Sequence, residues 1–182
     1  MTVGHPAYVP GVTEVVGGNY WGAVPGGIWV LCEDPGMAEM VVRNEDFEDV
    51  VRSSFDRQGL MAHLGAELAS VAPGEVSIEV PFRPEVTQQH GLFHGGVTTS
   101  IADSACGYAA LTLMPSGSEV VTVEFKINLF APAQGTRLVA RGRVVRSGRT
   151  ITVCQGDVFA AGPDGEVHCA TMVATMMRVG SA

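Results

Sequence analysis

With 182 residues, 46% of them hydrophobic and 16% charged, the chain holds enough apolar material for one domain with a buried core, which excludes a disordered segment. A formal charge of -8 argues against a general nucleic-acid binder, which would need a basic face. Cys32, Cys106, Cys154 and Cys169 have neither CxxC spacing nor the density of a disulfide scaffold, and the start MTVGHPAYVPG has no basic-then-apolar leader; both point to a reducing, cytoplasmic setting.

Residues 1–36 contain eight glycines and four prolines among Tyr8, Tyr20, Trp21 and Trp29, a composition that reads as loop or extended arm. The stretch 1–45 is therefore read as a Gly/Pro-rich extension, with Met37 and Met40 as alternative natural starts, and 46–182 as the folded domain. Asn44 precedes the acidic turn NEDFED, which suits a helix N-terminus. Phe47, Val50, Val51 and Ser54 or Phe55 then recur at helical spacing, with Gly59 as a stop. Alternation on either side of APGE predicts a hairpin of 64–71 and 75–82. The run 95–114 is helical in character, with Val97, Ile101, Tyr108 and Leu111 in one apolar stripe and small residues keeping the helix thin. After Glu119 the segments VVTVEFKINLF, TRLVARGRVV, TITVCQGDVFA and VHCATMVATMMRV alternate between turns, which predicts a four-strand antiparallel meander. Two strands, one long helix and four strands make an α+β fold, a single curved sheet wrapped around one helix.

From Val86 to Ser118 the only formally charged side chain is Asp103, inside that helix. The surrounding run carries Gln88, Gln89, Thr98, Thr99 and Ser100, too polar to cross a membrane. Gly95 and Gly96 open the helix, where free N–H groups and the helix dipole stabilise an oxygen gaining negative charge. Tight helix entry uses the same glycines, and an acid held by Ser100, Thr99 or Ser104 would also be found at 103; spacing alone leaves these readings open. The eight residues from Gly95 to Asp103 amount to roughly 12 Å along a helix axis, so one reacting carbon touches both only if an antiparallel second copy supplies one of them. His90 and His94 stand i, i+4 but in a loop around Gly91 without further ligands, so no metal site is expected. A hydrogen bond that orients the loop is the plainer role for either histidine. Five of the eleven basic residues, Arg137, Arg141, Arg143, Arg146 and Arg149, fall within thirteen positions, as a solvated strand face or a polyphosphate patch.

The segments HGLFHGGVTTSIADSACGYAA, VVTVEFKINLFAPAQG and VVRSGRTITV resemble the hotdog-fold acyl-CoA thioesterases. The resemblance is to the phenylacetic-acid-degradation type within the 4-hydroxybenzoyl-CoA thioesterase superfamily, and it covers roughly residues 50–178. It implies a helix wrapped by a sheet of about six strands, in homodimers whose sheets join and pair into homotetramers. It assigns the oxyanion donor to the N–H of Gly95, after His94, and the catalytic acid to Asp103 across the dimer interface, as general base or nucleophile. Gln88 stands where many relatives carry an Asn that positions water or the thioester, and Thr122 matches a water-positioning hydroxyl. Gly96, Arg143, Arg146 and Arg149 are the implied substrate and CoA contacts. The implied reaction is hydrolysis of an aryl or medium-chain acyl-CoA, without cofactor, nucleic acid or membrane. A non-catalytic acyl-CoA-binding hotdog protein is the alternative, and a hotdog hydratase would need an Asp/His loop spacing that this chain lacks.

Overall fold

The structure, a computed structural model, describes the backbone of residues 12–16, 19–24 and 28–33, and residues 40–180 in full. The chain divides into two units between Glu39 and Met40. In the first, β1 (Val12–Val16), β2 (Asn19–Val24) and β3 (Ile28–Glu33) form a three-stranded antiparallel sheet in that order. The composition reads as loop here, but the runs between the glycines are rich in β-branched and aromatic residues, which favour strand. Tyr8 and Met37 lie outside the described residues.

The second unit opens with two short helices, α1 (Phe47–Phe55) and α2 (Gly59–Leu64). Asp46, rather than Asn44, is the N-cap of α1; Asn44 sits two residues earlier, where its Oδ1 accepts from the Asp46 N–H at 3.2 Å. Gly59 begins α2 instead of ending α1, and the glycine that closes this region is Gly65, left-handed at φ 64°. Leu64 therefore belongs to a helix, and the hairpin is β4 (Glu67–Ala72) with β5 (Glu75–Pro81). A 3-10 turn, Pro84–Val86, leads to the central helix α3 (Gly95–Leu111). Then come β6 (Glu119–Leu129), β7 (Arg137–Ser147), β8 (Ile151–Gly162) and β9 (Gly165–Val179).

The six strands form one antiparallel sheet in the order β4-β5-β7-β8-β9-β6. The predicted four-strand meander is thus correct only for β7-β8-β9. Strand β6 lies at the far edge beside β9, and β7 lies beside β5. Alternation establishes strands but not their neighbours, and the seven residues between Leu129 and Arg137 are long enough, at about 3.3 Å each, to cross the ends of two strands. That crossing is pinned by Phe130 N–H to Cys169 O and Thr136 N–H to Ala161 O.

The core lies between α3 and the concave face of the sheet. Val76, Ile78 and Val80, Leu138 and Ala140, Cys154 and Val158, and Met172, Ala174 and Met176 alternate inward. They meet Val97, Ile101, Ala102, Ala105, Cys106 and Ala109 of the helix. Approach is closest at two sheet glycines. A Cβ on Gly142 would lie 2.3 Å from the Ala105 carbonyl carbon, and one on Gly156 would lie 2.9 Å from Cys106 Sγ. No helix among the described residues is long and apolar enough to span a membrane. Replacing Gly142 with alanine must push the helix backbone off the sheet. Urea denaturation is expected to show a loss of about 1–3 kcal/mol, the usual cost of overpacking.

Candidate active site

Helix α3 starts where His94 caps it: the ring Nδ1 accepts from the Gly96 N–H at 2.8 Å. With Nδ1 accepting, a neutral imidazole carries its proton on Nε2. Gly96 is thereby committed to the loop, whereas the Gly95 N–H makes no hydrogen bond among the described residues. The loop before it is tied by Thr87 pairing with Phe93 and by the His94 N–H to Val86 O at 2.9 Å. Gln88 closes the turn within this loop. Its Oε1 accepts from the His90 N–H, which leaves its amide N–H groups as donors.

Further along the helix, Thr99 Oγ1 and Ser100 Oγ donate back to the Gly95 and Gly96 carbonyls, each at 2.8 Å. Ser104 Oγ turns to Gln58 Oε1 at 3.4 Å. None of the three neighbouring hydroxyls holds Asp103. The half-buried carboxylate instead receives Thr122 Oγ1 on its Oδ1, at 2.8 Å, from the adjacent strand β6. Oδ2 has no hydrogen-bond partner among the described residues.

The residues singled out in sequence therefore form three groups. Gln88, His94, Gly95 and Gly96 gather at the helix entry, and Asp103 with Thr122 lies two turns on. Within one chain these two groups do not meet. Arg143, Arg146 and Arg149 form a third group at the β7–β8 end. Arg143 is held by Gln155 Oε1 at 2.7 Å, while Arg146 and Arg149 are exposed near the turn. Arg137 and Arg141 are paired with Glu79 and Glu166 at 3.2 Å and 2.8 Å.

A cleft of about 110 Å³ adjoins Asp103, lined among others by Ser54, Gln58, Ser104, Gly107, Tyr108 and Glu119. Tyr108 Oη accepts from Gln58 Nε2 at 2.8 Å, and burial holds the phenol above its ordinary pKa, so it stays protonated. Tyr108, which the sequence places in the apolar stripe of the helix, is buried and lines the cleft as well. Phe93 and Met114 are core. Ser54 and Gln58 carried no signal in sequence because they arrive from α1 and the start of α2, about fifty residues upstream of the helix they meet. Gly107 was findable, being four residues beyond Asp103 on the same face of the helix. A larger cleft of about 570 Å³ opens among Pro132, Gln134, Gly162 and Asp164, where the aspartate is the sole charged group in the lining.

The three thiols among the described residues are poor nucleophiles. Burial pushes Cys154 up to about 12, and burial raises Cys106 and Cys169 as well. Among the described residues no cluster of His, Cys, Asp and Glu is arranged to hold a metal ion. Iodoacetamide at pH 8 is expected to leave Cys106 and Cys154 unmodified in the folded protein and to alkylate both in guanidinium. Peptide mass spectrometry reads the difference.

Residues 90–167 match the Thioesterase superfamily. A crystal structure of a thioesterase family protein from Silicibacter pomeroyi is 44% identical, covering 74% of this chain and 99% of that one, with a TM-score of 0.73. Human acyl-coenzyme A thioesterase 13 is 27% identical over 121 residues, 65% of this chain and 86% of the relative. The PaaI protein from the phenylacetic acid degradation operon of E. coli superposes with a TM-score of 0.67 over 77% of this chain and 98% of its own. At 18% identity that likeness concerns fold alone.

Proposed function

The chain belongs to the thioesterase superfamily, as a thioester hydrolase of hotdog fold, and on that basis we propose that it cleaves acyl-CoA to a carboxylic acid and free CoA at sites shared by two copies. The observation that carries the reading is the separation of the free Gly95 N–H from the Thr122-bound Asp103, two halves of one chemistry held apart on one helix.

Strand β6 supplies the means of joining them. It is an 11-residue edge strand paired on one side only, and it exposes Val121, Val123, Phe125 and Leu129. Such an edge is a template for another chain. The strand runs antiparallel to the helix, since Leu129 approaches Gly95 while Thr122 meets Asp103. Pairing β6 with its own copy about a two-fold axis near Phe125, midway between those contacts, lays the helices side by side in opposite directions. Asp103 of one copy then faces the helix entry of the other.

In this site the Gly95 N–H, with the Gln88 amide, polarises the thioester carbonyl and takes the developing oxyanion. Asp103 Oδ2 accepts a proton from water as its oxygen bonds to the carbonyl carbon. Collapse of the tetrahedral adduct breaks the carbon–sulfur bond, and the CoA thiolate leaves with the proton that Asp103 held. Thr122 keeps the carboxylate aimed. Arg146 and Arg149, exposed beside the β7–β8 turn, would meet the CoA phosphates.

Asp103→Asn is expected to lower kcat by about 10²-fold or more with an unchanged melting temperature, as loss of a general base does. Gly95→Pro deletes the other half, because proline has no N–H and fits the first helical position. His94, at φ -68° and ψ 137°, already has the backbone that precedes a proline. When the two inactive variants are unfolded, mixed and refolded together, half the dimers are mixed and each has one intact site, so about a quarter of the original activity returns. No recovery would overturn the shared site, and acyl-CoA binding without thiol release would make this a binding protein. Phe125→Glu sets like charges opposite each other at the axis. Sedimentation is expected to show a monomer, with CoA release lost in parallel.

A further inference from the structure

Position 107 is glycine well inside a 17-residue helix, where alanine is the more favourable residue. Packing does not demand it. A Cβ there would meet nothing nearer than Val120 Cγ1, at 3.9 Å, in contrast to the clashes at Gly142 and Gly156. Gly107 instead lines the cleft of about 110 Å³ one helical turn beyond Asp103, and its missing side chain helps keep that space open.

The other lining groups are polar and incompletely used. Tyr108 Oη receives a hydrogen bond from Gln58, yet its own proton reaches Ser54 Oγ only at 3.4 Å. Ser104 Oγ reaches Gln58 Oε1 at the same stretched distance. Hydroxyl donors prefer about 2.7–2.8 Å, so two O–H groups here have capacity to spare. A plain alkyl group filling the cleft would strip water from them and return nothing. Two carboxylates, Asp103 and Glu119, line the same space and no basic side chain does, which opposes an anionic group.

We infer that this cleft is the acyl-recognition pocket and that it selects a compact acyl group bearing a neutral hydroxyl, over a plain hydrocarbon of equal length and over a carboxylated one. The inference rests on the acyl-CoA hydrolysis proposed above and names its substrate class. At roughly 30 Å³ for each water-sized group, the space takes about four such groups, which is short of a long chain. Tyr108 Oη is the discriminating contact, with Gln58 holding the phenol. Ser54 of α1 and Gln58 at its joint with α2 lie outside the 90–167 stretch that carries the family match, so part of the selectivity is set there.

The test measures CoA release from butanoyl-, 3-hydroxybutanoyl-, hexanoyl-, 6-hydroxyhexanoyl- and malonyl-CoA. In at least one of the two pairs the hydroxylated substrate is expected to exceed its plain partner by about tenfold or more in kcat/KM, with malonyl-CoA slowest. Tyr108→Phe, which keeps the ring against Phe55, is expected to bring that ratio close to one. Gly107→Ala is expected to lower kcat/KM for the hydroxylated substrate while the melting temperature holds or rises. Equal rates within both pairs, a ratio untouched by Tyr108→Phe, or unaltered kinetics in Gly107→Ala would overturn the inference and leave the hydrolase reading standing. No thiol from any of the five thioesters, nor from benzoyl-CoA and decanoyl-CoA run beside them, would overturn both.

Discussion

Everything in the second unit depends on how closely α3 sits on the sheet. Gly142 and Gly156 bring strand backbone against the Ala105 carbonyl and Cys106, a distance that no larger residue permits. Ala102, Ala105, Cys106 and Ala109 must therefore face the sheet. Helical geometry then turns 103, 104 and 107 toward the flank, where β6 and the α1–α2 joint reach them. The acid is placed by a packing constraint several residues away from it. The same constraint explains why the helix is built of small residues yet is fully structured: its stability comes from the sheet rather than from its own side chains.

Polar groups along the helix are disposed of economically. Thr99 and Ser100 satisfy themselves on their own helix carbonyls, and His94 consumes the Gly96 N–H. What is left over is informative: one backbone donor at Gly95, and one carboxylate oxygen opposite the one that Thr122 holds. A single threonine on a neighbouring strand orients the half-buried acid while leaving half the group free. Neither element alone is a catalytic arrangement. Under the two-fold pairing proposed above, the two become complementary.

Much of this was legible in the residues. Alternation located every strand after Glu119, the small-residue run located the helix, and one aspartate in an otherwise uncharged stretch marked the site proposed here. The reading failed where information is non-local. The order of strands depends on whether 130–136 reverses or crosses, and Ala131, Pro132 and Gly135 look alike in either case. Gly59 reads as a stop because glycine so often is one, but the left-handed residue turned out to be Gly65. The Gln58–Tyr108 contact joins residues about fifty apart, and nothing in either neighbourhood announces the other. The N-terminal strands were masked by glycine content that overwhelmed the short β-branched runs between.

The crossover after β6 has a temporal side. Threonine 122 sits on a strand whose one partner in the sheet is β9, the last strand along the chain. On the ribosome, β6 emerges early but has no ladder to join until Gly165–Val179 has followed it out. Asp103 is then made well before the strand that fixes its threonine partner in the sheet, so a nascent chain can form its helix before it can orient its acid.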